Sequence, residues 1–139
     1  ARSFFAFMHT FTTTKFNKKM YIFRRQNLSH QKFLERLSSL ILEEMATGRL
    51  SIEKIASEMY VTRGQLTRRV KAITGLTSQQ YAMKIRLKSA CGMLSNNPEM
   101  MITEIAYKCG FEDATSFSRA FRRLYGMSPS MYRNEHSNG

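Results

Sequence analysis

The chain has 139 residues, enough for one domain with a modest hydrophobic core or for two small subdomains. Lys and Arg together number 22 against 10 Asp and Glu, which gives a formal net charge of +12. This balance predicts a polyanionic partner but does not choose between nucleic acid and a membrane surface.

The sequence contains no group of side chains suited to catalysis or metal binding. Cys91 and Cys109 lie in apolar helical patterns without a CxxC partner, so we expect reduced core residues. The histidines are scattered, and neither a phosphate-binding glycine loop nor a serine elbow occurs. We therefore expect no enzyme activity, no metal and no cofactor.

Residues 1–28 contain no acidic residue and combine six phenylalanines with basic side chains. Polar residues interrupt their apolar runs long before the roughly 20 residues needed to span a bilayer, so this is not a transmembrane helix. The stretch could still be the aromatic and basic margin of one, or a basic arm along DNA. We favour a weakly ordered linker or extension. Because the chain begins with Ala, we expect a piece of a longer protein or a processed chain.

From Ser29, a candidate N-cap, apolar residues recur at helical spacing until Gly48. The apolar stripe comprises Phe33, Leu34, Leu37, Leu40, Ile41 and Met45. Three glutamates are expected on a solvated face: Glu35, Glu43 and Glu44. This helix is predicted to pack against the segment that follows.

Residues 51–81 predict a first helix-turn-helix. Ser51 is expected to cap a short helix, and Thr62 with Gln65 forms a capping box that fixes the start of the next one. In this second helix the inward side chains are Leu66, Val70 and Ile73. The open side carries Gly64, Gln65, Thr67, Arg68 and Lys71, flanked by Arg63 and Arg69.

A connecting helix is predicted over residues 78–95, because Thr77 and Gln80 form another capping box and Pro98 follows its end. Its apolar residues occupy two sides, as expected of a rigid helix that touches two subdomains. For three cations on it, phosphate contact and intramolecular pairing both remain open: Lys84, Arg86 and Lys88.

Residues 101–133 predict a second helix-turn-helix, with Gly110 in the turn and a helix that begins after Asp113. The apolar side of that helix comprises Phe117, Ala120, Phe121 and Leu124. Its opposite side carries Thr115, Arg119, Arg122 and, at the edge, Arg123. Ser128 and Pro129 are expected to start a last short helix that buries the ring of Tyr132 and frays beyond Arg133.

The two helix-turn-helix segments repeat each other at an offset of 50 residues through the turn and 51 after it. Corresponding pairs include Ile52 and Ile102, Ile55 and Ile105, Leu66 and Phe117, Arg68 and Arg119, and Lys71 and Arg122. Because charge recurs at the same phase as the buried stripe, two basic recognition helices explain the pattern better than two solvated surfaces. One position departs from the repeat, since Tyr60 stands where the second copy has Gly110.

The order of these segments resembles the AraC/XylS family of bacterial transcription regulators over about residues 30–134. The residues that carry the resemblance are Arg86, Leu87 and Ala90, followed by IAYKCGFED, FSRAFRRLYGMSP and YR. The second half has the family signature nearly complete, whereas the first half matches more loosely. The resemblance implies a separate sensor or receiver domain and a cytoplasmic, DNA-associated protein, although a membrane-anchored parent protein stays open.

We expect an all-α, homeodomain-like domain of about seven helices over residues 29–136. Subdomain one covers residues 29–77, the linker helix 78–95 and subdomain two 98–136. The expected function is sequence-specific binding of double-stranded DNA for transcription regulation, with two recognition helices in successive major grooves about 34 Å apart. The isolated domain is expected to be monomeric, and RNA polymerase is a further candidate partner.

An arginine can donate two hydrogen bonds to guanine, and its neighbours can contact phosphates. The predicted base readers are Gly64, Thr67, Arg68, Thr115, Ser116, Ser118 and Arg119. The predicted backbone contacts are Arg63, Arg69, Lys71, Arg122 and Arg123. Two rival functions are a protein-interaction module that uses the same helices, and RNA or membrane-surface binding by residues 1–28.

Overall fold

The computed structural model describes residues 14–137, and the side chains of residues 18–137, as seven α-helices joined by short turns. The helices are α1 Thr14–Ala46, α2 Ile52–Glu58, α3 Arg63–Thr74, α4 Ser78–Asn96, α5 Ile102–Lys108, α6 Ala114–Tyr125 and α7 Pro129–His136. Residues 14–137 contain no strand. The predicted all-α class is confirmed.

Helix α1 begins earlier than the sequence predicts, at Thr14 rather than near Ser29. Its 33 residues include neither Gly nor Pro, so the possible cap at Ser29 lies inside a stretch that nothing interrupts. Residues 14–28 are therefore helical where the sequence predicts weak order. Residues 1–13, the rest of the predicted linker, lie outside the described residues.

The chain divides into two compact units, Ala1–Glu35 and Arg36–Gly139. The division falls within α1, somewhat after the predicted boundary at residue 28. The second unit holds the end of α1 and all of α2 to α7. In the described part of the chain, no helix is long and apolar enough to cross a lipid bilayer.

Helices α2 and α3 form the first helix-turn-helix, and the predicted caps define their starts. The Ser51 hydroxyl accepts a hydrogen bond from the Lys54 backbone N–H at 3.2 Å. The capping box is complete, because the Thr62 N–H donates to Gln65 Oε1 at 2.9 Å and the Gln65 N–H donates to Thr62 Oγ1 at 3.1 Å. Both caps confirm the sequence-based prediction.

The turns of the two copies use the same left-handed backbone conformation. Gly110 has a φ of 82°, and Tyr60, at the equivalent position, has a φ of 59°. A side chain in this region costs about 1–2 kcal/mol, so the first turn is strained where the second is not. Gly110 has an additional role, because a Cβ there would lie 3.2 Å from the carbonyl oxygen of Met45.

Helix α4 packs against α3, α5, α6 and α7, as predicted for a helix shared by two subdomains. On one side Tyr81 is buried, and its hydroxyl shares a 3.0 Å hydrogen bond with the hydroxyl of Ser38 in α1. On the other side Leu87, Ala90 and Leu94 enter the core of the second helix-turn-helix. The two-sided apolar pattern is therefore confirmed.

The end of α1 joins the second subdomain as well as the first. Met45 is buried in the same core as Leu87 and Phe117. Its neighbour Glu44 is only 8% exposed, and its carboxylate pairs with Lys54 Nζ of α2 at 2.9 Å. The prediction of a solvated Glu44 is wrong, because the last turn of α1 is enclosed by both helix-turn-helix segments.

Aromatic rings fill the core of α5 to α7. Phe117 and Phe121 are fully buried, and the Phe121 ring contacts Tyr125 at 4.7 Å and Tyr132 at 5.5 Å between centroids. The Tyr132 ring then stacks on His136 at 4.0 Å. This stack explains why α7 continues to His136, beyond the Arg133 predicted from the sequence.

Candidate nucleic-acid interface

The helices α3 and α6 are equivalent in length and position. Each has 12 residues and ends at a glycine in the left-handed conformation, Gly75 with a φ of 78° and Gly126 with a φ of 75°. Leu66 and Phe117 are both fully buried, as are Val70 and Phe121. The two helices therefore present the same face to the core, at the offset of 51 that the sequence repeat predicts.

The faces opposite these buried stripes are cationic. Arg68 and Arg119 occupy equivalent exposed positions, and so do Lys71 and Arg122. Neither helix contains an acidic residue. Each face can therefore attract phosphate without competition from a carboxylate in its own helix.

Two of the predicted readers in α3 differ in how freely they can reach a ligand. Gly64 is exposed, and a Cβ on it would lie 3.8 Å from an Nη atom of Arg68, so the arginine extends along the open N-terminal edge. Thr67 is half-buried, and its hydroxyl accepts a 3.2 Å hydrogen bond from the buried hydroxyl of Ser78. Thr67 therefore links α3 to α4, a role that its sequence pattern did not indicate.

The N-terminal turn of α6 is fixed by Asp113. Its carboxylate accepts a 2.6 Å hydrogen bond from the Ser116 backbone N–H, and this bond lowers the pKa of Asp113. Thr115, Ser116 and Arg119 are exposed, whereas Ser118 is half-buried. The cap thus orients an exposed group of small polar side chains beside one arginine.

The predicted backbone contacts are all exposed side chains: Arg63, Arg69, Lys71, Arg122 and Arg123. Arg63 forms an ion pair with Glu53 of α2. An exposed pair of this kind contributes about 0–1 kcal/mol, so a phosphate could replace the carboxylate at little cost.

Arg86 has a structural role that the sequence left undecided. Its Nε donates to the Cys109 carbonyl and an Nη donates to the Gly110 carbonyl, both at 2.8 Å. The guanidinium carbon lies 4.1 Å from the centre of the Phe111 ring. Arg86 therefore holds the turn between α5 and α6. Because its partners lie more than 20 residues further along the chain, no local pattern could have revealed them.

One residue of the predicted apolar side of α6 lies outside the core. Leu124 is 45% exposed, whereas Phe121 on the same side is fully buried. Leu124 lines an open groove of about 620 Å³ between α4 and α6, together with Met83 and Leu87. The apolar side of α6 is thus larger than the part of it that neighbouring helices cover.

The cysteines of the domain are free thiols. Cys109 is fully buried, and burial raises its pKa to about 11. Cys91 is half-buried. Within residues 14–137, no cluster of three or more His, Cys, Asp or Glu side chains could hold a metal ion.

In comparisons with known proteins, the chain is similar to helix-turn-helix domains and to parts of transcriptional regulators. Residues 55–135 match a family described as a helix-turn-helix domain. The transcriptional activator RhaS of Escherichia coli is 32% identical over 118 residues, which cover 82% of this chain. The chain spans less than half the length of this and similar curated regulators, 42% in the case of RhaS.

Two solved structures that are each 27% identical to this chain share its fold. An AraC-type regulator from Chromobacterium violaceum superposes with a TM-score of 0.71 at 27% identity, covering 80% of this chain and 97% of that one. The DNA-binding domain of AdpA, solved in complex with a target DNA, gives a TM-score of 0.64 at 27% identity, covering 73% of this chain and 90% of that one.

Proposed function

Because this chain belongs to the AraC/XylS-type family of helix-turn-helix domains, we propose that it binds double-stranded DNA in a sequence-specific manner and regulates transcription. The observation that carries the proposal is the equivalence of α3 and α6, which bear exposed arginines at the same position, Arg68 and Arg119. An isolated basic surface helix would not require this repeat.

In the proposed mechanism, α3 and α6 enter successive major grooves on one face of the duplex, about 34 Å apart. Support for a fixed spacing comes from two connections within the domain. Helix α4 packs against elements of both copies, and Met45 at the end of α1 enters the core of the second copy. One chain with two recognition helices can occupy two major grooves without a second copy. We therefore propose that the isolated domain is monomeric.

The base contacts are assigned to arginines and small polar groups, and the remaining exposed cations to phosphates. The proposed readers are Gly64, Arg68, Thr115, Ser116 and Arg119, with the half-buried Thr67 and Ser118 in supporting positions. The proposed phosphate contacts are Arg63, Arg69, Lys71, Arg122 and Arg123. Binding without catalysis is the whole of the proposed activity.

Since the chain spans less than half of the curated regulators it matches, we propose that it is the output domain of a larger protein that also senses a signal. Its expected location is the cytoplasm, on DNA, with RNA polymerase as the candidate protein partner.

The test compares Arg68→Ala and Arg119→Ala on a DNA site obtained by selection from random sequence. Each variant should lose about 1–3 kcal/mol of affinity and the base preference of one half-element only, while non-specific binding changes less. Arg36→Ala is the matched control, because it removes one exposed positive charge outside both helices. If both arginine variants kept full affinity and unchanged base preference, the assigned reading face would be wrong.

Spacing provides the second measurement. Inserting five base pairs between the half-elements rotates one of them by about half a turn, since the duplex repeats every 10–10.5 base pairs. Affinity should then fall to the level that one subdomain and phosphate contacts support. A flat dependence on spacer length would exclude the two-groove mechanism.

A further inference from the structure

Ser78, the first residue of α4, carries a buried hydroxyl group. The residue is 5% exposed, and its Oγ donates a 3.2 Å hydrogen bond to Oγ1 of Thr67 in α3. A buried hydroxyl is costly unless it is hydrogen-bonded, and an alanine at this position would need no partner. The start of α4 does not require the Ser78 hydroxyl either, because Thr77 and Gln80 provide the capping box.

The second copy allows a comparison within the same chain. At the offset of 51, Ser118 corresponds to Thr67 and Pro129 corresponds to Ser78. Pro129 is buried at the first position of α7, as Ser78 is at the first position of α4. A proline ring has no hydroxyl, so Ser118 cannot accept an equivalent bond from this position. The bond from the following helix to the recognition helix therefore belongs to the first copy.

This bond restricts the side chain of Thr67. In a helix, a threonine divides between two χ1 rotamers, which place its hydroxyl and methyl groups differently. The Ser78 hydroxyl stabilises the rotamer in which Oγ1 of Thr67 faces α4. Thr67 therefore presents one arrangement of polar and apolar atoms to a ligand instead of two.

Thr67 lies where such a restriction can affect DNA recognition. It directly precedes Arg68, the proposed base reader, and it is half-buried rather than enclosed. Thr67 and Ser78 line a small cleft of about 170 Å³ together with Arg63, a proposed phosphate contact. The bonded pair thus borders the proposed interface with DNA.

We propose that Ser78 is a positioning residue for base recognition, which holds Thr67 in one rotamer and so narrows the base preference of the first copy. The inference rests on the proposed function, because it assigns a role within the reading of DNA by α3. A threonine can contact a base edge through its hydroxyl, or a thymine methyl group through its own methyl. Fixing the rotamer removes one of these two modes, so fewer base pairs satisfy the contact.

The second copy also supplies the test variant, Ser78→Pro. Thr77 has a φ of −69° and a ψ of 163°, close to the φ of −70° and ψ of 157° of Ser128, which precedes Pro129. A proline therefore fits after Thr77, and at the first helical position it removes only an N–H that has no partner within the helix. Ser78→Ala removes the same hydroxyl and leaves the backbone N–H in place.

The measurement is the affinity of the full chain for a selected DNA site in which each base pair is changed in turn. Both Ser78 variants should lose roughly three- to tenfold of the discrimination at one base pair, the size of a single hydrogen-bond contact. That base pair should lie in the half-element whose recognition depends on Arg68. Preference at the other half-element and non-specific affinity should not change, because no charge is removed. Ser57→Ala, which removes an exposed serine hydroxyl from α2, is the matched control and should keep every preference.

A Thr67→Ala background shows whether Ser78 acts through Thr67. Thr67→Ala should itself lose the discrimination, and adding Ser78→Pro should then have no further effect. Ser78 variants that keep the full base preference, while the unmodified chain reads both half-elements, would overturn this inference and leave the proposed function intact. An effect of Ser78→Pro that persists beside Thr67→Ala, or that is equal at both half-elements, would overturn it as well. An unmodified chain that prefers no sequence would instead refute the proposed function, and this inference with it.

Discussion

Replacing Arg86 with Met tests whether the turn of the second helix-turn-helix is held from α4. The substitution keeps a side chain of similar length but removes two hydrogen bonds of 2.8 Å, to the carbonyls of Cys109 and Gly110. It also removes the guanidinium placed 4.1 Å from the Phe111 ring centre. Both carbonyls lie just beyond the end of α5, where a cation also interacts favourably with the helix dipole.

The expected loss follows from these contacts. A hydrogen bond to a charged group contributes about 1.5–3 kcal/mol, and a cation–π contact about 0.5–2 kcal/mol. Burial offsets part of the sum, because removing the guanidinium also removes the cost of dehydrating it, the cost that lowers the pKa of Arg86. We expect a net destabilisation of about 2–4 kcal/mol, which for a domain of this size lowers the melting temperature by roughly 10 °C.

The measurement is a thermal melt of Arg86→Met beside Lys88→Met, which removes an exposed cation from the same helix. The Lys88 variant should change stability by less than about 0.5 kcal/mol. Arg86→Lys should fall between the two, since one ammonium cannot maintain the planar stacking and both hydrogen bonds. Equal melting temperatures for the Arg86→Met and Lys88→Met variants would show that these contacts contribute no net stability, and the assigned role of Arg86 would be refuted.

Three further predictions concern the turns, the core and the cap of α6. Tyr60→Gly should stabilise the protein by up to about 1 kcal/mol, because glycine adopts the left-handed backbone conformation of this position without strain. Gly110→Ala should destabilise the protein for the opposite reason, and melting temperatures that shift in the same direction for both variants would contradict this explanation. In urea unfolding, Phe121→Ala should lower the free energy of unfolding by about 3–5 kcal/mol, because Phe121 is fully buried. Leu124 is 45% exposed, so Leu124→Ala should lower it by less than about 1 kcal/mol, and equal losses would contradict the orientation of α6 described above. The pKa of Asp113 is lowered in the folded state, so the stability its carboxylate contributes is present above the unfolded pKa, near 4, and is lost as pH falls towards the folded pKa. The stability of Asp113→Asn should therefore decline less steeply below about pH 4 than that of the unmodified protein. An unchanged pH profile would exclude a contribution of the Asp113 carboxylate to stability.

The caps illustrate what could be read from neighbouring residues. Thr62 with Gln65 and Thr77 with Gln80 form the two capping boxes that the sequence predicts. Ser128 likewise caps α7 with Pro129 in its first turn. Each cap joins groups three residues apart, so the physical cause of the helix start lies within the segment itself. The repeat at an offset of 51 likewise needs only the sequence, and it predicts two basic recognition helices, whereas the family resemblance rests on motifs such as IAYKCGFED and FSRAFRRLYGMSP.

The exposure of particular side chains could not be read in this way. Leu124 has the spacing of a core residue, yet the structure leaves it 45% exposed. Glu44 falls on the apolar stripe of α1, three residues after Ile41 and seven after Leu37, so the prediction that it is solvated came from its charge and not from its spacing. Periodicity gives the direction of a side chain around its own helix but not which part of that helix a neighbour covers. The start of α1 could not be read locally either. Ser29 is a suitable N-cap, yet the helix already begins at Thr14, because no Gly or Pro interrupts the residues in between.

Neighbouring residues account for the caps of α2, α3, α4, α6 and α7 and for the duplication of a basic recognition helix, because these features depend on groups within one or two helical turns. The way in which the two helix-turn-helix copies are held together depends instead on packing between distant segments. Arg86 is bound to carbonyls more than 20 residues away, and a Cβ on Gly110 would lie only 3.2 Å from the Met45 carbonyl oxygen of α1. Such contacts arise when distant segments pack together, so their energy depends on a three-dimensional arrangement that no local pattern contains.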